Sequence, residues 1–86
     1  MKLLNKQIDM ISWTSKEGIV TPVRFRMEES GETVVVKVTR VLRIDKTLMG
    51  GAPTLCFRCT SVLHGTERIY ELTYHSATQQ WLLKKA

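Results

Sequence analysis

The chain has 86 residues, 43% of them hydrophobic and 24% charged, with 13 Lys and Arg against 8 Asp and Glu for a formal net charge of +5. That length makes one small domain, burying about 60–65% of the surface its unfolded form exposes, and the composition is globular rather than disordered. The apolar runs are far shorter than the ~20 residues of a membrane-spanning helix, and two cysteines make no disulfide framework.

The N-terminal stretch "MKLLNKQIDMISW" lacks the continuous apolar region and small-residue cleavage site of a secretory signal. Reduced thiols and a cytoplasmic location are the expectation. Leu4, Ile8 and Ile11 have helical spacing, but Ile11 and Trp13 alternate into the turn that follows. Alternation predicts a strand over residues 8–14, with residues 1–7 loosely attached.

Turn signals then recur at "SKEG" (15–18), "ESGE" (29–32), "MGGAP" (49–53), "HGTE" (64–67) and "SATQQ" (76–80). Glycine there supplies positive φ, and small polar residues supply local hydrogen bonds. Between the turns lie Val, Ile, Thr, Tyr and Phe, the composition of strands. "VRFRM" sets Val23, Phe25 and Met27 against Arg24 and Arg26, and Pro22 places the start of this strand after itself or at an edge. "TVVVKVTRVLRID" puts Val34, Val36, Val38, Leu42 and Ile44 on one side, with an irregularity at Arg40 that predicts a bulge or bend. "LCFRCTSVL" places Leu55, Phe57, Cys59 and Leu63 opposite Cys56, Arg58 and Thr60. "RIYELTY" turns Tyr70, Leu72 and Tyr74 inward, and "QWLLKK" does the same with Trp81 and Leu83. The expected fold is a single all-β domain, a five- or six-stranded antiparallel meander curled into a barrel or half-barrel.

Cys56 and Cys59 form a C-x-x-C with His64 and His75 further on. Side chains three apart in a strand point to opposite faces. A zinc pair at this spacing needs a tight turn between the thiols, and a redox pair needs a helix N-terminus. Phe57 and Arg58 supply neither, so both thiols read as structural, with Cys59 buried and Cys56 more exposed. There is no phosphate loop and no nucleophile elbow, and Glu28 and Glu29 face apart. The expectation is no enzyme, no cofactor and no metal. Trp13, Tyr70, Tyr74 and Trp81 read as core side chains.

The candidate site is basic. Arg24, Arg26, Lys37, Arg43, Arg58 and Lys84 all fall opposite the apolar set by parity. On neighbouring strands they would form a stripe able to follow the phosphates of DNA or RNA without sequence preference. Parity places no aromatic side chain among them, so stacking on bases is not expected. An acidic protein surface is the other partner chemistry that this charge fits, and a meander with bare edges makes a protein-interaction or self-associating module, a homo-oligomer included, the alternative.

The Pro-x-Arg-Phe entry at residues 22–25, the Val-rich strand at 34–41, Phe57, Tyr-Glu-Leu at 70–72 and Trp-x-Leu at 81–83 form an ordered pattern. It resembles a small bacterial domain of unknown function appended to the C-terminus of some Y-family translesion DNA polymerases and their inactive relatives. The likeness spans roughly residues 11–84, although the loop "KTLMGGAP" has no counterpart in it. It implies an accessory module near polymerase or repair machinery, and it brings no site residues.

Overall fold

The structure, a computed structural model, describes residues 1–86, Met49 by its backbone only. It contains seven strands: β1 (Leu3–Thr14), β2 (Val20–Glu29), β3 (Glu32–Lys37), β4 (Arg40–Met49), β5 (Ala52–Leu63), β6 (Thr66–His75) and β7 (Gln80–Lys85). All pair antiparallel, in the order β3-β2-β1-β7-β6-β5-β4. The all-β class is as the alternation requires. The count is seven rather than five or six, and the sheet is not closed into a barrel, because no ladder joins its edge strands β3 and β4. No helix is long and apolar enough to cross a membrane.

Three hairpins close through pairs with φ positive at both central residues: Ser30 and Gly31 (52° and 77°), Gly50 and Gly51 (60° and 82°), and His64 and Gly65 (51° and 76°). This is the turn geometry whose twist matches that of the flanking strands. Those signals set β2–β3, β4–β5 and β5–β6.

Two stretches of chain carry the sheet over on itself. Leu3 to Ile8 of β1 pairs with β7, whereas Asp9 to Thr14 pairs with β2. β3 and β4 run in the same direction and are one length of chain interrupted at Val38 and Thr39, leaving one sheet edge and becoming the other. The bend expected at Arg40 thus lies just before it and separates two strands. Thr39 N donates to Thr60 O at 2.8 Å and Val38 N to Val23 O at 2.9 Å, fixing the crossing. Two leaves result, β1–β2–β3 and β7–β6–β5–β4, with their inner faces together. Phe25 and Tyr70, on strands three apart in sheet order, meet edge to face with ring centroids 5.7 Å apart.

The core between the leaves is Phe25, Val36, Phe57, Cys59, Tyr70, Leu72, Trp81 and Leu83. Trp81 lies between Phe57 and Tyr74, at centroid distances of 5.4 and 4.7 Å. Burying such rings supplies most of the stabilisation available to a chain of this size. One polar device spans the leaves: Ser61 Oγ lies 2.6 Å from the Tyr70 hydroxyl and donates to the Lys37 carbonyl at 2.6 Å.

Bulges overturn several expected faces. The β1–β2 register jumps from Ile11 opposite Arg24 to Ser12 opposite Pro22, leaving Val23 as the extra residue. Pro22 therefore sits inside β2 and is buried, not Val23, which is 39% exposed. It lies beyond the reach of the β3 ladder, so its missing N–H costs no pairing. A second jump, between Val41 and Arg43, makes Leu42 the extra residue and turns Val41 to the core. Leu42 is exposed in consequence, whereas Ile44, opposite Phe57 on the inner side, is exposed because it lies on an edge strand that no other strand covers. At the N-terminus the strand begins at Leu3, with Leu3 opposite Lys85. The expected start at residue 8 missed this because a bulge at Asn5 (φ 47°) breaks the alternation.

Candidate nucleic-acid interface

Inner and outer faces follow from the register. Directly opposed residues of an antiparallel pair project to one side. Phe25 lies opposite Val36 and Met10, all turned to the core, so their neighbours Arg24, Arg26 and Lys37 face outward. Arg24 lies directly opposite Lys37 on one side and Ile11 on the other, and Arg26 lies opposite Val35 and Asp9. These three basic residues share the outer face of the first leaf.

Arg43 and Arg58 are opposite each other on the outer face of the second leaf. Lys84 joins them at the β7 bulge beside Glu71. The leaves face inward, so the two basic groups look away from one another. The six residues form two patches instead of one stripe.

Ion pairing separates them further. Arg26 Nε lies 2.9 Å from Asp9, Arg43 Nε 2.9 Å from Asp45, and Arg58 Nη2 2.8 Å from Glu71. Among the described residues, Arg24, Lys37 and Lys84 have no such partner. The second patch thus holds Arg43, Arg58 and Lys84 against Asp45 and Glu71, with both arginines in contact with a carboxylate. The first holds Arg24, Arg26 and Lys37 against Asp9 and Glu28, but Asp9 is engaged by Arg26 and Glu28 by Thr33, so neither carboxylate contacts Arg24 or Lys37. Two like charges left opposite each other, Arg24 and Lys37, cost stability unless something anionic sits over them.

The aromatic expectation for this face is corrected by Trp13. It is 63% exposed, whereas Trp81 is 6% exposed. Trp13 shares the alternation of Ile11 and so the face of Arg24. With ~3.4 Å per residue and ~4.8 Å between strands, the backbone of Trp13 stands about 12 Å from that of Lys37 and about 8 Å from that of Arg24. A shallow depression of about 340 Å³ over this leaf is lined by Asp9, Ile11, Arg24, Arg26 and Val35. Ile11 and Val35, at 55% and 60% exposure, give it an apolar floor. The larger concavity, about 670 Å³ between β1 and the β6–β7 turn, is lined by residues such as Gln7, Ser12, Thr14 and Gln80 and by none of the six basic side chains.

The thiols occupy the places that parity gives them. Cys59 is fully buried on the inner face, and Cys56 is half-buried on the outer. Burial, with Cys56 nearby, pushes the Cys59 thiol up to about 12. Burial and then the Glu71 carboxylate raise that of Cys56. Both stay protonated near neutrality, which is the wrong state for a nucleophile or a ligand. His75 Nδ1 lies 3.3 Å from Thr54 Oγ1, and exposed His64 sits in its turn. No three His, Cys, Asp or Glu side chains converge among the described residues. Compared with family models, curated proteins and solved structures, the chain matches none.

Proposed function

We propose that the chain is a nucleic-acid-associated accessory module and that the outer face of β1–β2–β3 is its contact surface. The observation carrying this is the juxtaposition of Arg24 and Lys37, directly opposed and without carboxylate partners, beside exposed Trp13. Cations held next to each other with no counter-charge favour a ligand carrying closely spaced anions, as a phosphodiester backbone does. The net charge of +5 adds a general attraction toward such a polymer. The resemblance to a polymerase-appended domain supports the same direction. The second patch contributes little, because Arg43 and Arg58 already have carboxylates in contact.

Binding of this kind releases counterions, so its salt dependence is the test. Anisotropy of labelled DNA and RNA oligonucleotides should rise at micromolar protein in about 50 mM salt and fall steeply by about 200 mM. An absence of binding at the lower salt, or an affinity insensitive to salt, would overturn the reading.

A further inference from the structure

The leaf that carries Arg24 and Lys37 also carries features that select between forms of nucleic acid. Duplexes and single strands both present phosphates, but only single strands present free base faces. Trp13 offers an indole in solvent on a strand, with Ile11 next along the same face. Its backbone is held in the ladder: Trp13 is opposite Thr21 and flanked by ladder pairs on both sides, at Ser12 and Thr14. An indole 63% exposed and outside the core cluster leaves most of its apolar surface available to a ligand.

Shape adds a second argument. The face is the outside of a folded sheet, bent where β1 passes from β7 to β2 and broken by the shallow depression between Ile11, Arg24 and Val35. A duplex laid on such a surface touches it along a narrow line, and its stacked bases give Trp13 no partner. A single strand can bend over the curve, set phosphates on Arg24 and Lys37 and turn a base onto the indole. The apolar floor of Ile11 and Val35 accommodates the sugar or a second base edge.

Resting on the nucleic-acid reading above, we infer that this face takes single-stranded polynucleotide, with a base stacked on Trp13 and the flanking phosphates on Arg24 and Lys37. The stacked base is read without hydrogen bonds, so the preference is for strandedness and not for sequence. Arg26 stays engaged with Asp9 and sets the rim.

The test compares a labelled oligothymidylate, a single-stranded RNA of equal length and a duplex, titrated at about 50 mM salt with wild type, Trp13→Ala and Trp13→Phe. Single strands should bind more tightly than the duplex. Trp13→Ala should weaken them roughly 5- to 100-fold, Trp13→Phe should restore most of the loss, and duplex affinity should stay unchanged. Equal binding of all three probes, untouched by Trp13→Ala, overturns the single-strand inference while leaving the phosphate contact standing. No binding to any probe overturns both. A blue shift of Trp13 emission with protein concentration alone, tracking dimer formation in sedimentation, overturns the inference by assigning the indole to a second copy. The Trp13 variants lie on a solvent-facing site, and an unchanged circular dichroism spectrum confirms that they fold.

Discussion

Tyr70 and Ser61 share a buried hydrogen bond of 2.6 Å within one leaf, and the same serine hydroxyl reaches across to the Lys37 carbonyl of the other. Ser61 spends its own proton on the Lys37 carbonyl, so the Tyr70 hydroxyl is the donor to Ser61 Oγ. Removing the serine hydroxyl strands two groups at once, the buried phenol and the half-buried Lys37 main-chain carbonyl. Ser61→Ala should cost about 1–3 kcal/mol, and Tyr70→Phe, which leaves the Ser61 to Lys37 bond in place, about 0.5–1.5 kcal/mol. Urea unfolding of the two variants checks the order. A serine variant no weaker than the phenylalanine variant would show that the Ser61 to Lys37 bond does not hold the crossing.

Thr60 presents the opposite case. It is 1% exposed, and its Oγ1 has no hydrogen-bond partner. It faces out from β5 between Arg40 and Ile69, beneath the Arg40–Glu67 ion pair. Thr60→Val keeps the shape and removes the unpaired oxygen. The variant should be more stable by about 1 kcal/mol, read as a higher urea midpoint at unchanged slope.

Alkali should loosen the fold in a defined window. Burial holds both Cys59 and Tyr70 at about 12, against ordinary values of 9.0 and 10.0, with the Ser61 hydrogen bond lowering the tyrosine partway back. Both groups are neutral acids in the native state, so the folded chain keeps protons that the unfolded chain has lost. Their contribution is whole below pH 9 and is lost as the pH climbs toward 12. The urea midpoint should be level from pH 7 to 9 and then fall. Cys59→Ala lowers the whole curve but should make the fall shallower, leaving the raised Cys56 thiol and the tyrosine to carry what remains.

The two tryptophans should be distinguishable without any ligand. A Trp81→Phe variant reports Trp13 alone and should emit as a solvated indole, readily quenched by acrylamide. A Trp13→Phe variant should emit further to the blue and resist quenching, since Trp81 is packed between Phe57 and Tyr74. Equal quenching of both would contradict the bare outer face.

The turns were legible because each needs glycine for a stated backbone reason. Gly31, Gly51 and Gly65 mark three hairpins, and alternation from Leu55 to Leu63 and from Tyr70 to Tyr74 gives the correct faces. Alternation failed wherever one residue was added to one strand. The bulges at Val23 and Leu42 shift the side chains by one step, exchanging Val23 for Pro22 and Leu42 for Val41 in the interior. The crossing at Val38 and Thr39 has no turn residue to announce it, so two strands read as one. The charge pattern gave the six basic residues an outward face, but leaf membership depends on which half of β1 pairs with which neighbour. Trp13 was missed because an indole in an alternating strand has the same sequence signature inside a core or outside it.

The measurement that tests the assignment of the surface most directly compares two double variants in one salt series. Arg24→Ser with Lys37→Ser removes the two unpaired cations of the first patch, and Arg43→Ser with Arg58→Ser removes the same charge from the second. The first should bind single-stranded DNA more weakly and flatten the plot of log affinity against log salt by about one unit per lost phosphate contact. The second should keep the wild-type slope. Equal losses from both variants would mean that net charge alone attracts the polymer, and a loss confined to Arg43 and Arg58 would put the interface on the other leaf.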